Sequence, residues 1–197
     1  DGDRIQAIIH GVGTSSDGRG KSLWAPRQEG QVEAIRRAYA SKQEMDAVQY
    51  IEAHATGTRL GDATEVASIS AAYGAGGTTP KKAITSLKAN VGHLLEAAGL
   101  AGVVKSVLCM QHGIIPQSAG IEQVNDQIDW EHSAVVVPSE NMPWPAPENG
   151  NPRRAAVNAF GIGGLNMHVV LDGPDTKPQM RPEATAPVRP ASSDAVA

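Results

Sequence analysis

Residues 94–111 read as a helix that is apolar on nearly every side, with Leu94, Leu95, Leu100, Val103, Val104, Val107 and Leu108 spread around it and only Glu96 and Lys105 as exceptions. A helix without a polar face has no side to give to water, so it belongs inside a layered structure with neighbours on both sides. Its Gly and Ala pairs, Ala97-Ala98-Gly99 and Ala101-Gly102, let those neighbours come unusually close. Around it, runs of β-branched residues alternate with helix-like stretches, which is the pattern of an α/β domain.

The rest of the chain fits that pattern. Arg4 to His10 reads as a strand running into a Gly/Ser-rich loop from Gly11 to about Pro26, and residues 28–40 carry Val32, Ile35, Ala38 and Tyr39 on one helical face. A strand rises through Val48, Tyr50 and Ile51 and delivers His54 to its end. Asp62 stands three residues before Glu65, like a capping box, which starts a helix reaching Tyr73. Gly74 to Lys82 is a turn and Ala83 to Leu87 a strand. After Gly113 the chain is loop-rich, with a short strand over Val135–Val137 and prolines at 143, 145, 147 and 152. Ala155 to Phe160 and Met167 to Asp172 form an antiparallel pair about Gly161-Ile162-Gly163-Gly164. From Pro174 to Ala197 there are five prolines and few bulky apolar residues, so residues 174–197 read as a disordered linker after a domain over 1–173.

Composition excludes several function classes. With 17 basic against 21 acidic residues and a net charge of −4, there is no electrostatic footprint for nucleic acid or an anionic membrane surface. No apolar run approaches the roughly 18 residues that span a bilayer, and Asp1-Gly2-Asp3-Arg4 is no signal peptide, so a cytoplasmic protein is expected. The single cysteine, Cys109, rules out a disulfide framework and a cysteine-built zinc site. The six histidines show no metal-ligand spacing. Glycine-rich stretches fail as nucleotide loops: Gly20-Lys21-Ser22 lacks its upstream glycine, where Ser15 stands, and Gly161-Ile162-Gly163-Gly164 leads into a strand.

Three strand-end loops remain: Glu52-Ala53-His54-Ala55-Thr56-Gly57-Thr58, Lys88-Ala89-Asn90-Val91-Gly92-His93, and Asn158-Ala159-Phe160-Gly161-Ile162-Gly163-Gly164-Leu165-Asn166. Each follows an apolar strand with small or polar residues, where α/β folds gather their sites. In order and spacing they resemble the three C-terminal motifs of β-ketoacyl synthases, particularly polyketide synthase ketosynthases, and the resemblance extends from residue 1 to about Gly173.

That resemblance implies a thiolase-like α-β-α-β-α architecture, of which this chain is about the C-terminal half, and decarboxylative Claisen condensation of malonyl on an acyl carrier protein with an acyl thioester. It assigns His54 and His93 to hydrogen-bond donation toward an enolate oxygen, in a metal-free site where each aimed donor is worth roughly 3 kcal/mol. Lys88 matches the family's lysine; its charge is expected to help keep His93 neutral, with Glu65 as its counter-charge. Thr56 and Thr58 match the threonines that contact the phosphopantetheine arm. Phe160, Gly161, Ile162 and Gly163 match the oxyanion and gate loop, with the Ile162 N–H as donor and Ile162 in place of the usual phenylalanine. Ala55 stands where a glycine is usual.

No Thr-Ala-Cys-Ser-Ser motif is present, and Cys109, inside the apolar helix without an adjacent base, reads as an ordinary buried cysteine. The resemblance places the nucleophile in an N-terminal half, which together with the carrier protein and a second copy of the domain makes up the expected partners. His168 reads as structural. Two other readings compete: a non-catalytic partner comparable to chain-length factors, and a decarboxylase-only ketosynthase.

Overall fold

The computed structural model describes residues 2–18, 25–74, 80–145 and 151–174. The linker over 174–197 lies outside the described residues except for Pro174, as do Gly20-Lys21-Ser22 and parts of the expected turn at 74–82 and of the proline-marked loop between Pro143 and Pro152.

Six strands form one mixed sheet in the order β1-β8-β7-β2-β3-β5. β1 is Ile8–Ser16, β2 Tyr50–Glu52, β3 Lys82–Thr85, β5 Val135–Val136, β7 Arg154–Phe160 and β8 Leu165–Asp172, while β4 (Ile114–Ile115) and β6 (Met142–Pro143) make a separate pair. β2 is parallel to both β3 and β7, and β7 and β8 form the expected antiparallel hairpin with Asn158 opposite His168. α1 (Gln28–Arg37) and α3 (Arg59–Tyr73) cover one face, where Ile35, Ile69 and Tyr73 pack with Ile51 and Ala156. α5 (Ala98–His112) covers the other, where Cys109 and Met110 pack with Tyr50, Val157 and Leu171.

Local expectations shift where tertiary contacts intervene. The first strand runs through Gly11 and Gly13 instead of ending at His10, because α1 lies directly on them: a Cβ at Gly11 would sit 2.0 Å from the Ala38 carbonyl oxygen, and one at Gly13 1.9 Å from that of Ala34. Those glycines permit close packing; they do not make a loop. α2 (Lys42–Asp46) is an extra helix, capped by Ser41 accepting the Glu44 N–H. α3 begins at Arg59, with Thr58 as its cap accepting the Gly61 N–H at 3.1 Å, so the Asp62 to Glu65 spacing is not a capping box.

The apolar helix expected over 94–111 becomes a 3-10 turn over Leu95–Ala97 followed by α5, and the loop before it contains a one-turn helix, α4 (Lys88–Val91). Gly92 adopts a φ of +78°, which stops α4, and Gly113 ends α5 in a left-handed cap. α5 is also covered on one side only: Leu100, Val104 and Leu108, at spacings of four residues, are 72%, 58% and 47% exposed. Its inner side uses the predicted small residues, with Gly99 against Ala159 and Gly102 against Val157 and Glu52.

Gly13→Ala is expected to destabilise the fold by roughly 1–3 kcal/mol or more, since its methyl meets backbone that cannot yield. Gly57→Ser, where the added Cβ meets nothing within 4 Å but the φ of +79° is strained, should cost less. Chemical denaturation of both variants tests that ranking.

Candidate active site

Alternation along β2 and the residues after it sends Tyr50, Glu52 and His54 to the α5 side of the sheet, and Ile51 and Ala53 to the α1 and α3 side. His54 therefore stands where the chain leaves the sheet, and its loop needs support. Glu65 supplies it from α3. The buried carboxylate accepts the His54 N–H through one oxygen and the Ala55 N–H through the other, both at 2.8 Å. Asn158 on β7 donates its amide to the first oxygen at 2.8 Å. Burial raises the Glu65 pKa, and these three donors oppose that rise. Ala55 has a φ of +21°, at the edge of the left-handed region, which accounts for the cost of a Cβ at this position.

The network continues behind Asn158. Its carbonyl oxygen faces His168 Nδ1 at 2.6 Å, and His168 Nε2 lies 2.9 Å from the Tyr39 hydroxyl, which in turn pairs with Tyr73. Because the Asn158 amide donates to Glu65, its oxygen accepts from His168 Nδ1, and Nε2 accepts from tyrosine. Burial pushes the His168 pKa down to about 3. This residue is structural, as expected.

His54 and His93 come together. Their ring centroids are 5.7 Å apart and nearly perpendicular, at 81°. The Phe160 N–H donates to His54 Nδ1 at 3.3 Å, and the Leu95 N–H donates to His93 Nδ1 at 2.9 Å. A lone pair on Nδ1 is consumed in both rings, so the proton of each neutral imidazole resides on Nε2. The result is two N–H donors on adjacent loops. The turn at Leu95, with a φ of +51°, is where the second arrangement is held. The His54 pKa is lowered to about 4, first by burial, then by the positive charge of Lys88 and by His93.

Lys88 is half-buried, and desolvation lowers its pKa against the opposing fields of Glu65, Glu52 and Asp62. Glu65 acts on it at a distance: among the described residues the two form no ion pair, the Glu65 oxygens being taken by peptide and amide donors. The positive charge of Lys88 contributes to the lowered His54 pKa.

A cavity of about 650 Å³ opens on the α3 side of the His54 loop, lined by Thr56, Asp62, Glu65, Lys88 and Ser118 among others and by neither imidazole. Thr56 reaches it. Thr58 does not line it and instead caps α3. The Gly161-Ile162-Gly163-Gly164 turn closes with the Gly164 N–H on the Gly161 carbonyl at 3.1 Å, Gly163 at a φ of +94° as a type II turn requires, and Ile162 70% exposed at its tip. The Phe160 ring lies 5.6 Å from that of His54. Cys109 is buried in the α5 core, with its thiol pKa raised by burial.

Glu52, Asn158 and Lys105 are the residues that sequence reasoning leaves without roles. Glu52 and Lys105 carry a signal, as charged residues within an apolar strand and an apolar helix. Asn158 carries none beyond its place in a motif.

The family model of the β-ketoacyl synthase C-terminal domain matches residues 6–122, and that of the ketoacyl-synthetase C-terminal extension matches residues 125–194. This chain belongs to the β-ketoacyl synthase family. Pikromycin polyketide synthase component PikAII of Streptomyces venezuelae is 44% identical over 174 residues, covering 87% of this chain and 5% of that protein. A phenolphthiocerol/phthiocerol polyketide synthase of Mycobacterium tuberculosis is 42% identical over 173 residues, 87% of this chain and 11% of that one. The solved ketosynthase from module 6 of the bacillaene synthase of Bacillus subtilis 168 is similar with a TM-score of 0.82 at 35% identity, covering 88% of this chain and 32% of that structure. The chain thus spans a small part of the length of these relatives, and the thiolase-like fold is that of the ketosynthases.

His54 and His168 both hold lowered pKa values, so between about 4 and the ordinary histidine value of 6.5 the unfolded ketosynthase segment binds protons that the native one does not. Stability therefore falls as pH drops through that window. The denaturation midpoint should decline from pH 7 to pH 4.5, and a His54→Asn variant should show a shallower decline; equal slopes would contradict the neutral assignment of His54.

Proposed function

We propose that this chain supplies the histidine, lysine and oxyanion-loop side of a polyketide synthase ketosynthase, an acyltransferase that joins a carrier-bound malonyl unit to an acyl thioester by decarboxylative Claisen condensation. The observation that carries this reading is the pairing of two imidazoles, each with a peptide N–H on Nδ1 and therefore a donor at Nε2.

The chemistry follows from those donors. When malonyl loses carbon dioxide, the electrons of the broken C–C bond flow toward the thioester oxygen. Nε2–H groups of His54 and His93 stabilise that enolate, in a setting where fixed donors cost no reorganisation. The low pKa of His54 keeps it neutral at physiological pH, and Lys88 adds a positive field near the developing oxyanion. The enolate carbon then attacks the acyl thioester carbonyl. The tetrahedral oxyanion is held by the Ile162 N–H, together with the nucleophile's own peptide, and its collapse expels the cysteine thiolate.

The nucleophile belongs to an N-terminal half, which in this reading packs on the exposed Leu100, Val104 and Leu108 face of α5. The substrate arrives on the phosphopantetheine arm of an acyl carrier protein, and Thr56 meets that arm in the cavity. Thr58 contributes by capping α3, with its hydroxyl proton left for the same arm. The complete domain acts as a homodimer in the cytoplasm, with no cofactor held by the chain itself.

The test uses the complete ketosynthase. His54→Ala or His93→Ala is expected to lower malonyl decarboxylation and condensation on the order of 10²–10³-fold while leaving acyl-thioester formation on the cysteine measurable. A non-catalytic, chain-length-factor-like partner would retain condensation in both variants, and that outcome would sink the proposal. A decarboxylase-only enzyme would lose decarboxylation without ever having condensed.

A further inference from the structure

Between the sheet and α5 a buried carboxylate meets a partly buried ammonium. Glu52 ends β2 only 2% exposed, and Lys105 reaches it from the middle of α5 with Nζ 2.8 Å from Oε2. Further hydrogen bonds surround the pair. The Tyr50 hydroxyl donates to the same Oε2 at 2.6 Å, Lys105 also donates to Thr85 Oγ1 at 2.8 Å, and the Tyr50 and Thr85 hydroxyls are 2.7 Å apart. The other oxygen, Oε1, accepts the Leu87 N–H at 2.5 Å. α5 can come this close because position 102 is glycine: a Cβ there would lie 3.0 Å from Glu52 Cγ.

A buried ion pair is a weak source of stability, because desolvation offsets most of the attraction. Its reach is more informative. Leu87 is the residue before Lys88 and the one whose carbonyl accepts the Val91 N–H, closing the single turn of α4; Gly92 ends that turn and His93 follows. The Oε1 contact therefore fixes the peptide from which the whole Lys88 to His93 arm departs. Glu52 ends the strand that leads into the His54 loop, two residues before His54 and on the same side.

We propose that Glu52, with Lys105 as its counter-ion, is a positioning residue that sets the Lys88 to His93 arm against His54 by anchoring the Leu87 N–H. The consequence for catalysis rests on the condensation reading above; the anchor itself does not. Glu65 fixes the His54 loop from the other side of the sheet, so the two imidazoles owe their spacing to two different buried acids.

Replacing the pair by Glu52→Leu with Lys105→Met removes both charges together, leaves the Tyr50 and Thr85 hydroxyls to satisfy each other, and deprives the Leu87 N–H of its acceptor. Glu52→Gln with Lys105→Met keeps a carbonyl oxygen for Leu87 without any charge. In the complete ketosynthase the Leu/Met variant should show Leu87 amide exchange at least about 10-fold faster and condensation kcat lower by about 10–100-fold, the scale of a small misplacement of catalytic groups. Acyl-thioester formation should stay within about threefold. The Gln/Met variant should restore both exchange and kcat to within about threefold.

Leu87→Pro approaches from the donor side, removing the N–H at a φ of −60° that the proline ring adopts, and should lower kcat in the same way even if the Leu/Met variant does not fold. Unchanged Leu87 exchange in the Leu/Met variant, faster exchange with unchanged kcat, equal loss in the Leu/Met and Gln/Met variants, or full activity in Leu87→Pro would each overturn the proposal. A parent enzyme that never condenses would count against the functional reading instead, and Leu87 exchange would then decide the anchor alone.

Discussion

One buried carboxylate holds the candidate site together. Glu65 takes two consecutive peptide N–H groups, those of His54 and Ala55, at the point where the chain leaves the sheet. Without it those donors would lie buried and unsatisfied, a cost of about 1–3 kcal/mol each. Glu65 is in turn aimed by Asn158, which is oriented by His168, which is held by the hydroxyls of Tyr39 and Tyr73. These groups come from well-separated parts of the sequence, from the end of α1 and from α3, β7, β8 and the segment after β2. The loop can thus keep Ala55 at a backbone angle that a side chain seldom accepts, because the surrounding hydrogen bonds determine it from several directions.

The two faces of the sheet divide the work. Toward α1 and α3 lie Glu65, the His168 chain and the larger apolar core; toward α5 lie His54, Glu52 and the ion pair with Lys105. Donors to the two imidazoles come from the backbone, with Phe160 on His54 and Leu95 on His93. That economy explains how two histidines with no carboxylate partner among the described residues each retain one defined tautomer. Burial and the nearby Lys88 charge then keep His54 neutral.

The strands, the hairpin and the three motif loops are legible in the sequence because each combines an apolar run with glycines or small residues at its end. Sequence and structure part where the deciding contact is distant. Gly11 and Gly13 look like a loop until α1 is seen lying on them, and no local feature announces Ala34 and Ala38 as their neighbours. The apolar stretch looks continuous from Leu94, but the His93 ring captures the Leu95 N–H and Gly92 stops the preceding turn. Thr58 is legible as a family threonine and not as a helix cap. Glu65 reads as a partner for Lys88 because charge suggests charge; its place among peptide donors emerges only when positions 54, 65 and 158 meet. The all-round apolarity of α5 is plain in the sequence, yet this chain covers only one of its sides.

Backbone donors to Nδ1 place the proton of each neutral imidazole on Nε2, and the proposed chemistry depends on those two donors. Nitrogen-15 NMR of the imidazoles in the complete ketosynthase at pH 7 tests it directly. His54 and His93 are each expected to show a protonated Nε2 coupled to its hydrogen and an unprotonated, hydrogen-bond-accepting Nδ1. A protonated Nδ1 on either ring, or a doubly protonated His54 at that pH, would contradict it.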